Sequence, residues 1–117
     1  MKPRRPIGES PEGGSHYVDQ VVTRTNGTRF LLSVKWQAER GTVDQKIPYE
    51  AIRLAHILAT TQSLYDCAYI VIGGKGWKPQ LKAYYIENHL DDWLRNCEQV
   101  HILDLDGFHQ KAQEKTL

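Results

Sequence analysis

One short segment carries apolar side chains at every second position: Phe30, Leu32, Val34 and Trp36. Polar side chains lie between and after them: Ser33, Lys35 and Gln37. This alternation predicts a β-strand over residues 29–37, with the apolar series on one face and the polar series on the other. A lysine in so apolar a strand is costly unless its charge has a use. Lys35 is therefore the first candidate for chemistry.

The same kind of pattern predicts the other elements. A valine-rich stretch predicts a strand over residues 16–24, and Asn26-Gly27 signals a hairpin. Apolar residues at helical spacing predict a helix over residues 44–62 with Asp44 as its N-cap. A continuous apolar run predicts a strand over residues 67–74 that is buried on both faces. The remaining predicted elements are a helix at 80–96, a strand at 100–105 and a short C-terminal helix.

The element order predicts an α/β fold. An antiparallel hairpin is followed by α-β-α-β, which gives a mixed β-sheet with crossover helices. Residues 1–15 hold three prolines and three glycines and predict a flexible N-terminal arm. Residues 16–117 then form a single domain, which suits a chain of 117 residues.

The composition is that of an ordinary globular protein, with 40% hydrophobic and 25% charged residues. The net charge of +1 gives no global basic field, although a local groove can still be basic. Cys67 and Cys97 lie in apolar surroundings, which favours buried thiols over a disulfide. Because no apolar run approaches roughly 18 residues and no signal peptide is visible, we expect a soluble cytoplasmic protein without a membrane partner.

Three charged residues fall where the predicted fold can bring them together. Asp19 lies on the first hairpin strand, Lys35 on the second, and Glu50 at the edge of the buried face of the following helix. Two carboxylates can hold a divalent metal through oxygen ligands, and an ammonium group can stabilise a transition state on a phosphate. An ion pair at a sheet edge, without chemistry, is the alternative that the spacing leaves open.

The segment "SVKWQ…GTVDQKIPYE" resembles the core of the PD-(D/E)XK nuclease superfamily, which has the restriction-endonuclease-like fold. The resemblance extends from Tyr17 through the last strand. It implies a metal-dependent DNA endonuclease that hydrolyses phosphodiester bonds with Mg²⁺, or with Mn²⁺ as a substitute. It also implies that Asp19 is a metal ligand, that the main-chain carbonyl of Val34 is another, and that Lys35 is the motif lysine. Gln37 matches a glutamine that places the metal or the scissile phosphate.

The chain departs from the family pattern at the acidic position two residues before the lysine, where it has Ser33. Some members with a serine there take the carboxylate from the next helix, and Glu50 stands at that place. Val18 also replaces the proline of the motif. A catalytically inactive module that binds nucleic acid or serves assembly, and keeps the fold, is therefore the alternative. The family's upstream helix is missing, which implies a homo-oligomer or a piece of a larger nuclease chain.

The active site requires a particular hairpin register. A two-residue turn at Asn26-Gly27 would place Asp19 opposite Val34, on the face of the apolar series. An odd connection, such as a three-residue loop with Gly27 in the left-handed conformation, would instead bring Asp19 to the face of Ser33 and Lys35. We therefore predict the odd connection.

Other candidates are weaker. The loop "GGKGWK" at residues 73–78 is a strand-to-helix turn whose lysines could touch DNA, but it lacks P-loop spacing. The five histidines show no zinc spacing. Trp36 and Trp93 are predicted in the core, whereas Trp77 is a candidate contact for a base or a partner. Three further cations are either phosphate contacts or solvated: Arg24, Arg29 and Lys46.

Overall fold

The computed structural model describes residues 5–9, 15–61 and 64–117. Its strands are β1 Arg5–Glu9, β2 Ser15–Val18, β3 Gln20–Thr23, β4 Arg29–Trp36, β5 Cys67–Gly73 and β6 Val100–Asp104. Its α-helices are α1 Ile47–Thr60, α2 Pro79–Ile86 and α3 Leu105–Glu114. Short 3₁₀ turns at Val43–Lys46 and His89–Asp92 precede α1 and follow α2.

The main sheet has four strands in the order β3-β4-β5-β6. β3 runs antiparallel to β4, whereas β4, β5 and β6 are mutually parallel. The parallel pairs need crossover connections, which α1 and α2 provide. The predicted α/β fold with a mixed sheet is confirmed. β1 and β2 form a separate antiparallel pair, so residues 5–9 of the predicted arm are a strand; residues 1–4 and 10–14 lie outside the described residues.

The hairpin between β3 and β4 has the odd connection that the predicted active site requires. Val22 pairs with Phe30 and Thr23 with Arg29, and the amide of Arg24 donates to the carbonyl of Thr28 at 2.7 Å. Three residues remain in the loop, and the last of them, Gly27, has φ +91°. Glycine adopts this conformation without the steric cost that a side chain adds. The predicted register is confirmed.

The buried face of β4 is the one that carries Leu31 and Ser33. Leu31 and Ser33 are 0% and 1% exposed because they face α1, while Val34 and Trp36 on the other face are 45% and 60% exposed. Only the first part of that other face is covered, where Phe30 and its neighbours form a small cluster. Ser33 and Gln37 are buried, and Lys35 partly so, because each finds a polar partner. The prediction that Trp36 and Trp93 belong to the core is wrong, since Trp93 is 76% exposed.

The main core lies between the sheet and the helices α1 and α2. Its fully buried side chains come from β4, α1 and β5: Leu31, Ile47, Leu54, Ile57, Ile70 and Ile72. The strand β5 is buried along its whole length, as its continuous apolar run predicts. Both cysteines are buried free thiols, as expected. In the part of the chain that is described, no helix has the length and apolar character needed to cross a bilayer.

Two predicted elements are shorter than expected. The strand predicted over residues 16–24 is broken at Asp19, where a bend separates β2 from β3. The helix predicted to reach residue 96 ends at Ile86, because Asn88 adopts the left-handed conformation with φ +62°. Asparagine tolerates that conformation better than most residues and commonly ends helices.

Candidate active site

Glu50 stands in the first turn of α1, where the helix meets the sheet. Pro48 is tolerated beside it because it occupies the first helical turn, whose N–H groups have no intrahelical partner. Ile47, Ala51 and Leu54 are almost fully buried and hold this end of α1 against β4 and β5. Glu50 is therefore only 4% exposed, and its carboxylate points toward the strand that carries Lys35.

One oxygen of Glu50 joins the two polar side chains of β4. Glu50 Oε2 lies 2.8 Å from Lys35 Nζ and accepts a hydrogen bond of 2.8 Å from Ser33 Oγ. Arg53, one turn along α1, places Nη1 3.7 Å from Glu50 Oε1. The lysine charge within an apolar strand is therefore balanced, because Lys35 compensates the buried carboxylate of Glu50.

The cations around Glu50 set its ionisation. Burial raises the pKa of Glu50, but the hydrogen bond and charge of Lys35, the Ser33 hydroxyl and the charge of Arg53 outweigh burial. The pKa of Glu50 therefore lies below its ordinary value, and the group is a carboxylate at neutral pH. An ionised oxygen donor is what a hard divalent cation requires.

The other oxygen of Glu50 is buried without a hydrogen-bond partner. Its nearest cation is Arg53, at 3.7 Å, so this oxygen keeps the capacity to accept a hydrogen bond or to bind a cation. Asp44 presents a second case: it is 0% exposed and neither of its carboxylate oxygens has a hydrogen-bond partner. Asp44 was expected as an N-cap, but no side chain caps either helical segment there, and that prediction is wrong.

Asp19 reaches the same stretch of β4 from the hairpin side. Its Oδ2 accepts a hydrogen bond of 2.6 Å from the amide of Val34, the residue between Ser33 and Lys35. Continuing the observed register by one residue places Asp19 beside Ser33. Asp19 and Glu50 therefore contact three consecutive residues of β4 from two different elements. Among the described residues, no group of three or more His, Cys, Asp or Glu side chains could hold a metal ion.

Gln37 lies just past the end of β4 and is tied to main chain at both ends of its amide. Its Nε2 donates to the carbonyl of Gly76 at 2.7 Å, and its Oε1 accepts from the amide of Val43 at 2.8 Å. These contacts bind the glycine loop and the start of the helical segment to β4. With 5% exposure, Gln37 positions the backbone around Lys35.

A cleft of about 490 Å³ opens beside Lys35 and Glu50. Its charged lining is three cations and one carboxylate: Lys35, Lys46, Arg53 and Glu50. Its other lining residues are Val34, Trp36, Val43 and Tyr49. The cleft has the volume of an ordinary small-ligand site, and its basic lining suits a phosphate group. Sequence analysis missed Arg53, whose only signal was its position one helical turn after Glu50.

Two other candidates have structural roles. Trp77 is 5% exposed and its indole donates to the carbonyl of Gly73 at 2.6 Å, so it is a core residue rather than a contact for a base. Arg24 donates to the carbonyl of Leu117 at 2.8 Å and pairs with Asp66 at 2.8 Å, so it fastens the C-terminus to the hairpin instead of meeting a phosphate.

Comparison with known proteins gives one result. A family model described as "PD-(D/E)XK nuclease superfamily domain" matches residues 6–116, which include every candidate site residue. Searches of curated proteins and of solved structures gave no significant match.

Proposed function

The chain belongs to the PD-(D/E)XK nuclease superfamily, and from this premise we propose that it is a metal-dependent DNA endonuclease. The observation that carries the proposal is the contact of Glu50 with both Ser33 and Lys35. A carboxylate from α1 thereby stands beside the serine that occupies the acidic position of the motif. The helix supplies the charge that the strand lacks.

The donor set fits Mg²⁺ or Mn²⁺. Mg²⁺ is usually held by one or two carboxylates together with waters and substrate phosphate oxygens, rather than by a complete protein cage. Asp19 and Glu50 would provide the carboxylates and the carbonyl of Val34 a further oxygen, and Glu50 Oε1, which accepts no hydrogen bond, is the carboxylate oxygen with spare donor capacity. Such an ion, when bound, lowers the pKa of a coordinated water and neutralises charge on the phosphate.

The chain's own residues supply the rest of the chemistry. Lys35 places a positive charge at the carboxylate, where it can stabilise negative charge that develops on the scissile phosphate. Ser33 and Arg53 hold the Glu50 carboxylate in its ionised form and in one orientation. Gln37 fixes the backbone at the end of β4, and Asp19 fixes Val34.

A direct test asks whether Glu50 on α1 serves in place of an acidic residue at position 33 on β4. Glu50→Gln should lose Mg²⁺-dependent cleavage of DNA, and Ser33→Glu combined with Glu50→Gln should recover part of it. Ser33→Ala in the wild-type background is the matched control and should keep most of the activity, because it removes a hydrogen bond but no ligand. Full activity in Glu50→Gln would contradict the proposal.

Metal binding provides a second readout that does not depend on turnover. Calorimetric titration with Mg²⁺ should show binding to the wild type and weaker binding to Asp19→Asn, whose fold should be intact by circular dichroism. An Asp19→Asn variant that binds Mg²⁺ like the wild type would remove Asp19 from the site.

The alternative is a catalytically inactive module that binds nucleic acid. One observation favours this alternative: Glu50 Oε2 already contacts Lys35 and accepts a hydrogen bond from Ser33. Few carboxylate oxygens of Asp19 and Glu50 then remain to bind a metal ion. Binding of DNA without cleavage in either Mg²⁺ or Mn²⁺ would favour this alternative.

A further inference from the structure

Two aromatic side chains in the lining of the cleft are exposed to solvent. Trp36 is 60% exposed and Tyr49 is 47% exposed. Trp36 follows Lys35 at the end of β4, and Tyr49 precedes Glu50 in the first turn of α1. The two aromatic residues therefore lie on β4 and α1, the same elements that carry Lys35 and Glu50.

Trp36 is held in place despite its exposure. Its six-membered ring rests against Gly73, where an added Cβ would lie 2.6 Å from Cζ3 and 2.7 Å from Cε3. Only a residue without a side chain leaves room for the ring at this position of β5. An exposed aromatic ring that is seated on backbone is preorganised, so little conformational freedom is lost when a ligand stacks on it.

The surrounding charges match a nucleic-acid backbone. Lys46 is exposed at the cleft, and the Arg53 guanidinium lies 5.9 Å from the centre of the Tyr49 ring. Proteins that bind single strands combine a cationic groove with aromatic rings on which bases stack. In a duplex, the faces of the bases are already stacked on each other, so exposed aromatic rings contribute little to duplex binding.

We propose that this cleft binds an unpaired nucleotide, with its base stacked on Trp36 or Tyr49 and its phosphate beside Lys46 and Arg53. The substrate is then single-stranded DNA or a locally unpaired region of a duplex. This inference rests on the proposed function, because it assigns a substrate class to the same site.

Binding without turnover tests the inference first. Anisotropy titrations in EDTA would compare a fluorescein-labelled single strand with the blunt duplex of the same sequence. The wild type should bind the single strand roughly tenfold more tightly or better. Trp36→Leu should weaken single-strand binding by about 5- to 150-fold and change duplex binding by less than about twofold. Trp36→Phe, which keeps an aromatic ring, should retain most of the affinity.

Trp93→Leu is the matched control, because Trp93 is an equally large exposed tryptophan outside the cleft. It should bind both DNAs like the wild type. Thermal melting of each variant establishes that it is folded at the assay temperature. Equal wild-type affinity for the two DNAs, or equal weakening of both by Trp36→Leu, would overturn the inference.

Cleavage of the same two DNAs with Mg²⁺ separates this inference from the proposed function. Cutting of the duplex in preference to the single strand would overturn the inference and leave the nuclease proposal standing. Single-strand binding that depends on Trp36, with neither DNA cut, would support the inference and contradict the nuclease proposal.

Discussion

Removing the charge of Lys35 should destabilise the fold through the carboxylate it leaves behind. Glu50 is 4% exposed, and in Lys35→Met its closest cation is gone while Arg53, at 3.7 Å, remains. Breaking a buried ion pair typically costs 3–5 kcal/mol. Since Ser33 and Arg53 still partner Glu50 and Lys35 is itself partly exposed, we expect a loss of about 2–3 kcal/mol in the free energy of unfolding at pH 7.

Urea unfolding measures this loss, with Lys46→Met as the matched control in the same cleft. Lys46 is exposed, so its variant should change stability by less than about 0.5 kcal/mol. Glu50→Gln in the Lys35→Met background should restore much of the stability, because the buried charge is then absent. Additive losses in the double variant would show that the 2.8 Å contact carries no coupling and would refute the reasoning.

The pH dependence of the same variant gives an independent check. In the wild type the pKa of Glu50 is lowered on folding, so its contribution to stability is present above the unfolded value near 4.5 and is lost as the pH falls through the folded pKa. In Lys35→Met less positive charge offsets the burial of the Glu50 carboxylate. The loss in free energy of unfolding relative to the wild type should therefore be largest at neutral pH and shrink as acid protonates Glu50. A deficit independent of pH would point to lost packing instead.

Three further predictions concern the fold around the site. Arg24→Met should lose about 1–2 kcal/mol in urea unfolding because it releases the C-terminal carbonyl, whereas Arg29→Met, at an exposed position, should lose less than about 0.5 kcal/mol. Gly74→Ala should lower the melting temperature more than Gly27→Ala, because both have positive φ but only Gly74 would press a Cβ against neighbouring main chain; equal shifts would contradict the packing. Burial and a nearby lysine lower the pKa of His101 on folding, so the fold favours the neutral imidazole. The stability that this neutral form contributes is present above about pH 6.5 and is lost as the pH falls below it. His101→Gln should therefore make the free energy of unfolding depend less on pH below about pH 7.

The sequence predicts most about the site where local geometry allows few arrangements. The register of the hairpin between β3 and β4 followed from parity, because only an odd connection brings Asp19 toward Ser33, and Gly27 suits a left-handed position in such a loop. The contact between Glu50 and Lys35 was predictable for a similar reason. Glu50 lies at the edge of a buried helical face, and a lysine within an apolar strand needs an acidic partner.

The errors arose where burial depends on partners rather than on polarity. Trp36 was expected in the core, but it is exposed, whereas Ser33 and Gln37 on the other face of β4 are buried because each finds a hydrogen-bond partner. Hydrophobic alternation fixes which residues share a face and cannot say which face a helix covers. The early end of α2 depended on the left-handed Asn88, a conformation that spacing does not reveal.

Cleavage of supercoiled plasmid DNA by the wild type and by Lys35→Ala tests the central claim most directly. The account predicts nicked or linear products with Mg²⁺ or Mn²⁺, none with EDTA, and a rate at least about 100-fold lower for Lys35→Ala, in the range typical for loss of a group that stabilises transition-state charge. Lys78→Ala, in the loop that precedes α2, should cleave like the wild type. No cleavage of the plasmid or of single-stranded DNA by the folded wild type with either metal, or wild-type cleavage by Lys35→Ala, would contradict it.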